Sequence, residues 1–293
     1  MTTRLGVLGW PVAHSRSPAM HNAALRELGL EDWRYQRLPV PPERFAETVP
    51  ALHAAGFRGA NVTIPHKEAA LALATSASER AREIGAANTL TFGEDGEIEA
   101  DNTDAPGLIA ALPRPPASGS SALVLGAGGS ARAVCWALRE AGLKVSVWNR
   151  TPERAEQLAA DLGIHAVRRA SPADLLVNCT SVGLDQTSST FKELPLGVED
   201  MGRYATVADL VYAAERTELL TIAALAGSTI VDGLEILVHQ GALSLEAWTG
   251  RPAPITTMRA AALRGDAQPE RDPSRSPTSP AGRSDLDGRG TGT

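Results

Sequence analysis

Apolar residues in the first hundred positions fall into short runs separated by longer stretches with apolar positions every three or four residues. That is the pattern of strands alternating with amphipathic helices. Arg4–Leu8, Trp33–Leu38 and Gly59–Ile64 read as strands, and Pro18–Leu28, Pro42–Ala55, His66–Ala74 and Glu79–Ile84 as helices. Ser15 and Ser17 precede the first helix as candidate caps. Thr89–Phe92 and Ile98–Ala100 read as short strands joined by a turn at Glu94-Asp95-Gly96, before a helix around Pro106–Leu112.

The segment from Leu112 to Ser121 is rich in proline and serine and breaks the pattern. A new unit follows: strand Ala122–Leu125, a glycine turn, helix Ala131–Ala141, strand Lys144–Trp148 and helix Pro152–Leu162. Further strands are expected at Leu175–Asn178, Thr206–Leu210 and Thr229–Val231. A helix then starts at Gly233, with Asp232 as N-cap and Glu235 three residues on as a capping-box partner. A last helix covers Ile255–Arg264. The chain is thus expected to be α/β, and residues 265–293 a disordered tail. From Asp266 onward Leu286 is the only large apolar side chain, too little to offset the entropy of ordering.

A length of 293 residues with 43% apolar content allows a large core in one or two domains. A net charge of -6 gives no footprint for a polyanion, so nucleic acid is not expected as a partner. No apolar run approaches the ~20 residues of a membrane helix. Glycines and Pro11 interrupt the N-terminus before a signal peptide's apolar stretch could form. The two cysteines, Cys135 and Cys179, make no disulfide framework or paired metal motif, although a lone bridge stays open. These features are simplest in a reducing cytoplasm. Arginine outnumbers lysine 25 to three, which draws attention to Lys67, Lys144 and Lys192. Lysine can give up its proton in a suitable environment, whereas arginine effectively cannot; codon bias explains the excess equally well.

Gly126-Ala127-Gly128-Gly129-Ser130 follows a strand and opens a helix, the context of a dinucleotide-binding fingerprint. Glycines let the backbone approach a pyrophosphate, and the helix start offers free N–H donors. The next strand ends in Asn149-Arg150-Thr151-Pro152-Glu153-Arg154. It lacks the acid that accepts from the ribose of NAD; Arg150 and Arg154 can instead clamp a 2′-phosphate, with Asn149 and Thr151 adding hydrogen bonds. Two arginines at a solvated helix start are the plain alternative. Following a glycine fingerprint, they favour NADP.

Lys67 lies just after Pro65, where a helix is expected to start, so its cation sits against the positive end of the helix dipole. Alone it reads as a surface lysine, just as Asp104 alone reads as an N-cap and Ser15 and Ser17 as caps. The joint occurrence of these segments in one order changes that. Gly9–Pro18, Asn61–Lys67, Gly85–Thr89, Asp101–Asp104, Gly126–Ala131, Asn149–Arg154, Asn178–Gly183, Asp209–Tyr212 and Asp232–Ala242 together resemble the shikimate dehydrogenase family over roughly residues 4 to 264.

The resemblance implies reversible, NADPH-dependent reduction of 3-dehydroshikimate to shikimate, on the route to chorismate and the aromatic amino acids. It implies a catalytic pair of Lys67 and Asp104, with Ser15 and Ser17 on the substrate carboxylate. Thr63, Asn88, Tyr212 and Gln240 would bind the carboxylate or hydroxyl groups. Gly126–Ser130 and Asn149–Arg154 would hold NADP, with Thr180, Leu210 and Gly233 near the nicotinamide and Glu79 close to the cofactor. An N-terminal α/β substrate domain, residues 1–103 with 238–264, would face a Rossmann-type parallel-sheet domain, residues 104–237. A homodimer stays open, and no metal site is expected.

Ala87, Ala100, Ala105 and Ala213-Ala214 depart from the family's usual residues, which bears on loop conformation rather than on the reaction. A catabolic quinate/shikimate dehydrogenase is the nearest rival, and Ser17 and Arg150 argue against it. A non-catalytic NADP- or ligand-binding relative would lack Lys67 or Asp104, and both are present.

Arg150→Asp is expected to shift cofactor preference from NADP toward NAD. A lost charge-assisted hydrogen bond is worth roughly 1.5–3 kcal/mol, or more than about tenfold in KM for NADP. kcat/KM for both cofactors at saturating shikimate reads this out. A change in their ratio of less than about threefold would assign the clamp elsewhere, Arg154 first.

Overall fold

A computed structural model describes residues 2–93, 95–184, 188–213 and 215–265. The tail beyond Gly265, Glu94 of the expected turn and Ala214 lie outside the described residues. Two six-stranded sheets organise the chain. The first takes β1 (Thr3–Gly9), β2 (Trp33–Pro39), β3 (Phe57–Val62), β4 (Ser76–Ala77), β5 (Thr89–Phe92) and β6 (Ile98–Asp101) in the order β2-β1-β3-β5-β6-β4. β1 is parallel to β2 and β3, while β5 is antiparallel to β3 and β6. Helices α1 (Ser17–Glu27), α2 (Pro42–Ala54), α3 (Lys67–Leu73), α4 (Glu79–Ile84) and α5 (Asp104–Ala111) belong to this half of the sequence.

The second sheet takes β7 (Ser121–Leu125), β8 (Lys144–Trp148), β9 (His165–Ala166), β10 (Ala173–Asn178), β11 (Tyr204–Asp209) and β12 (Thr229–Val231), all parallel, in the order β12-β11-β10-β7-β8-β9. The order reverses direction at β7, and in such sheets a ligand crevice opens at that switch point. Helices α6 (Gly129–Glu140), α7 (Pro152–Leu162), α8 (Thr190–Glu193), α9 (Glu218–Leu225), α10 (Gly233–Thr249) and α11 (Ile255–Arg264) follow in sequence, with a 3-10 turn at Val198–Arg203. The α/β class and the parallel second sheet are as expected.

α6 shows how the pattern works: Ala131, Val134, Cys135 and Leu138 repeat at helical spacing and all enter the core with Val124, Val145 and Val177. α9 went unexpected because Glu218–Leu225 is short and its exposed face holds only Glu218 and Thr221 as polar residues, with Leu225 exposed beside them, so its period is faint. Thr217 caps it by accepting from the Leu220 N–H. β4, β9 and α8 are too short to carry a period.

Several expected caps are corrected. Ser15 Oγ accepts from the first helical N–H, that of Ser17, at 3.3 Å, but Arg16 rather than Ser15 or Ser17 takes the N-cap position of α1 and makes no side-chain capping bond. Its guanidinium instead donates to Ala262 O, Leu263 O and Ala213 O, tying this turn to the end of α11. Pro65 precedes α3 without entering it, and Lys67 is the first helical residue. Asp104 is the first residue of α5 rather than its cap. Asn102 does the capping, since its Oδ1 accepts from the N–H groups of Asp104 and Ala105. Asp232 caps α10 by accepting from Leu234 N–H, but Glu235 pairs with Arg259 and closes no capping box.

α10 serves both cores. Leu234, Val238, Ala242, Leu245 and Trp248 pack with Leu5, Val7 and Tyr35 of the first sheet, while Ile236 joins the core of the second. α5 lies so close to α10 that a Cβ on Gly107 would come within 2.7–2.9 Å of Gln240, partly its backbone, so only glycine fits.

His21 is buried beneath α10 and stacks on Tyr35, ring centroids 4.2 Å apart. Burial holds its pKa down at about 3, against 6.5 in an unfolded chain. Unfolding therefore takes up a proton between these values; the stability that neutral His21 contributes is full above pH 6.5 and is lost as pH falls toward 3. Asp209, pushed up to about 6 by burial, acts in the opposite sense between about 6 and 3.8. Comparing parent with a His21→Phe variant cancels the Asp209 contribution. Urea unfolding at about pH 7 and pH 4.5 is expected to show the variant losing roughly 2 kcal/mol less than the parent. Equal losses would mean that His21 is protonated in the folded state.

Candidate active site

A cleft opens beside the carboxyl ends of β1, β3, β10 and β11, walled on one side by α10 and on another by the start of α6. Lys67 and Asp104 meet in it, only 8% and 9% exposed. Lys67 Nζ donates to Asp104 Oδ2 at 2.5 Å and to Ser130 Oγ at 2.8 Å. Because Asn102 caps α5, the Asp104 carboxylate is released from capping and free to face Lys67. Asn102 is itself pinned, donating through Nδ2 to Ala86 O.

Asn88 is the hub behind this pair. Its Nδ2 donates to Asp104 Oδ1 at 2.8 Å and to Gln240 Oε1 at 3.2 Å. Its Oδ1 accepts from the Thr103 N–H at 2.7 Å and from the hydroxyls of Thr103 and Thr89. Those two hydroxyls and Ser244 Oγ form a buried triangle with 2.9–3.1 Å sides. Asn61 extends it, donating to Ser244 Oγ and accepting from Tyr35 OH. The Ser17 hydroxyl lies against Tyr35 and that of Ser15 against Tyr212. Arg37 fixes the turn by donating twice to Ser15 O. Burial raises the Tyr212 pKa, opposed by the Arg16 backbone, the Ser15 hydroxyl and the charges of Arg16 and Arg37.

On the other wall, Asn178 accepts from both the N–H and the hydroxyl of Thr180 and donates to Asp209 Oδ1. Asp209 also accepts from Thr217 and from the Val211 N–H. This pair turns the loops after β10 and β11 so that Thr180, Leu210 and Tyr212 line the cleft. Gly233 packs against three carbonyls of the second loop, which a Cβ would approach to 2.7–2.9 Å.

All eight expected substrate-site residues, Ser15, Ser17, Thr63, Lys67, Asn88, Asp104, Tyr212 and Gln240, line this cleft. So do Ser130, Thr180, Leu210 and Gly233. Gly126, Ala127 and Gly128 form the turn from β7 into α6, which Gly129 begins, and Asn149–Arg154 span the turn after β8 and the first residues of α7. Glu79 stands apart, exposed in the first turn of α4 and not among the residues lining the cleft. The sequence reading singled out neither Thr103 nor Ser244. Thr103 sits inside the Asp101–Asp104 stretch; Ser244 falls four residues after Gln240, on the same face of α10, and that spacing was its signal. His14, Cys179, Ser181 and Leu184 also line the cleft.

Family models match three stretches of the chain. The shikimate dehydrogenase substrate-binding domain matches residues 7–90, shikimate/quinate 5-dehydrogenase residues 110–189, and the shikimate 5′-dehydrogenase C-terminal domain residues 233–263. A shikimate dehydrogenase (NADP(+)) from Methylobacterium radiotolerans is 47% identical over 272 residues, covering 87% of this chain and 94% of its own. The chain belongs to the shikimate dehydrogenase family.

Among solved members of that family, the shikimate 5-dehydrogenase of Thermus thermophilus in complex with NADP(H) and shikimate is 46% identical. It aligns with a TM-score of 0.80 over 90% of this chain and 99% of its own. A ligand-free 5-ketofructose reductase of Gluconobacter is 30% identical, with a TM-score of 0.78 over 90% and 99% of the two chains. Within this shikimate dehydrogenase family member, three of the unusual alanines are core residues. Ala87 and Ala100 are fully buried in the first sheet's core, and Ala105 packs with Ala133 and Ala137 of α6.

Asn88→Ala leaves the Thr103 N–H without its buried acceptor and Asp104 Oδ1 without its donor. A stability loss of about 1–3 kcal/mol is expected, read from the urea midpoint at constant m-value. A loss below about 0.5 kcal/mol would show that the surrounding hydroxyls re-pair without it.

Proposed function

We propose that this protein is an NADP-dependent dehydrogenase that interconverts 3-dehydroshikimate and shikimate. The observation that carries the reading is the buried Lys67–Asp104 pair, 2.5 Å apart in a cleft beside the glycine turn. The residues of the second sheet fit the cofactor. Gly126 adopts φ +111°, and a Cβ there would press on Cys179 at 3.1 Å, whereas Gly128 faces open space. β8 ends without an acid, and among the described residues Arg150 and Arg154 are exposed and make no ion pair. Gly126–Ser130 would hold the pyrophosphate through backbone N–H groups, and Asn149–Arg154 the 2′-phosphate. Thr180, Leu210 and Gly233 would flank the nicotinamide.

When bound, NADPH supplies the hydride for ketone reduction. Charge then develops on the carbonyl oxygen, which needs a proton donor beside it. The Lys67 ammonium has three N–H bonds, of which Asp104 and Ser130 take two. The third serves the substrate oxygen, polarising and then protonating it, and neutral Lys67 takes the proton back in the reverse direction. Asp104 holds the ammonium through Oδ2 and can accept a substrate hydroxyl. Ser15 and Ser17 would bind the carboxylate at the far end, helped by Tyr212, while Thr63 and Gln240 would bind the ring hydroxyls; Asn88 would join them by exchanging its 3.2 Å bond to Gln240 Oε1 for a substrate hydroxyl. Since a 5-ketofructose reductase shares the fold, it is these polar groups, not the fold, that support the assignment of substrate.

The domain division that goes with this reading, residues 1–103 with 238–264 against 104–237, is supported by the two separate sheets. Cytoplasmic residence belongs to the same reading, supported by the free thiols of Cys135 and Cys179.

Steady-state rates with shikimate and quinate, each with NADP and NAD, test the assignment; shikimate with NADP is expected to give the highest kcat/KM. Lys67→Ala is expected to lower kcat by roughly 10²–10⁴-fold while leaving NADP affinity unchanged. A folded variant turning over at more than about half the parental rate would remove Lys67 from the acid–base role.

A further inference from the structure

Ser130 belongs to the glycine turn, yet its hydroxyl accepts from the Lys67 ammonium at 2.8 Å. Two more features make this contact a fixed one. A Cβ on Gly129 would stand 2.8 Å from Lys67 Cβ and 3.2 Å from Cδ, so the lysine stem lies directly on the turn's backbone. α6, whose second residue is Ser130, is docked onto the half of the molecule that carries Lys67. Ala133 and Ala137 pack with Ile84, Ala86 and Ala105. Arg132 Nε donates to Ile84 O and Trp136 Nε1 to Glu83 Oε2, each at 2.7 Å. Small residues at this contact bring the two backbones close, and the polar pairs fix their register.

From this arrangement we infer that Ser130 is a positioning residue for Lys67. Its backbone would hold the cofactor while its hydroxyl, with Asp104, fixes where the ammonium sits. An ammonium with one fixed acceptor can swing about its last torsions; with two acceptors from different elements, its remaining N–H bond is aimed. The cofactor turn thereby takes part in proton transfer as well as in binding. The inference rests on the proposed acid–base role of Lys67 and adds to it a residue that the glycine pattern assigns only to the cofactor.

The test uses Ser130→Ala in two backgrounds, after the parent has been assayed with shikimate and NADP. An inactive parent would sink the proposed function rather than this inference. In an active parent, Ser130→Ala is expected to lower kcat about tenfold, the scale of one charge-assisted hydrogen bond. The Kd for NADP, from fluorescence titration, should stay within about twofold, since backbone groups carry that binding. In the Lys67→Ala background, Ser130→Ala should lower the residual kcat no further, because the group through which it acts is gone. An unchanged kcat in the parent background overturns the inference. So does a loss of the same size in both backgrounds, which would mean that the hydroxyl acts on the cofactor or on local structure.

Discussion

Burying the Lys67 ammonium against the Asp104 carboxylate removes two charges from water, at an effective cost of several kcal/mol per ion. Their attraction offsets that cost only if the geometry is fixed and their remaining hydrogen-bonding capacity is filled. Much of the surrounding architecture does that work. Asn88 fills the second oxygen of Asp104, and Ser130 takes a second N–H of Lys67. Asn102 supplies the cap that Asp104 would otherwise provide. An aspartate spent on capping its own helix could not face a lysine.

The buried polar network behind the pair follows from the same constraint. Asn88 uses both amide hydrogens, and its oxygen accepts from a backbone N–H and two hydroxyls, leaving no orphan in a low-dielectric site. The Thr89–Thr103–Ser244 triangle draws its members from β5, the start of α5 and α10. The position of a chain segment some 140 residues downstream is thereby written into the geometry of the pair. Hydroxyls suit this place because each can donate and accept, so the ring can adjust without leaving a donor unpaired.

Between the sheets, close packing replaces flexible contact. Gly107 against Gln240 and Gly233 against the loop after β11 bring backbones to distances at which no side chain fits. α10 thereby contributes Gln240 and Gly233 to the cleft while filling both cores. The family's sheet-and-helix frame allows other chemistries, as the 5-ketofructose reductase indicates, so discrimination falls to the polar side chains that this frame presents.

Local chemistry made most of the frame legible in the sequence. Helical periods such as Ala131–Leu138, the glycine turn after β7, and the missing acid at the end of β8 act over a few residues and fix elements and cofactor type. The motifs around Lys67, Asp104 and the serines of the first turn marked these residues only as a set, in one order along the chain. What the sequence could not settle was which atom meets which. Taken one at a time, Asp104 and Ser15 fitted capping as well as catalysis, because a cap and a ligand use the same side-chain oxygen. The fold separated the roles at Asp104, by giving the cap to Asn102, whereas Ser15 Oγ accepts from the Ser17 N–H while also lining the cleft. Likewise the Ser130 hydroxyl and Ser244 acquire their partners from elements 63 and more than 140 residues away. Such pairings depend on how two sheets and α10 pack together, and no local pattern carries that information.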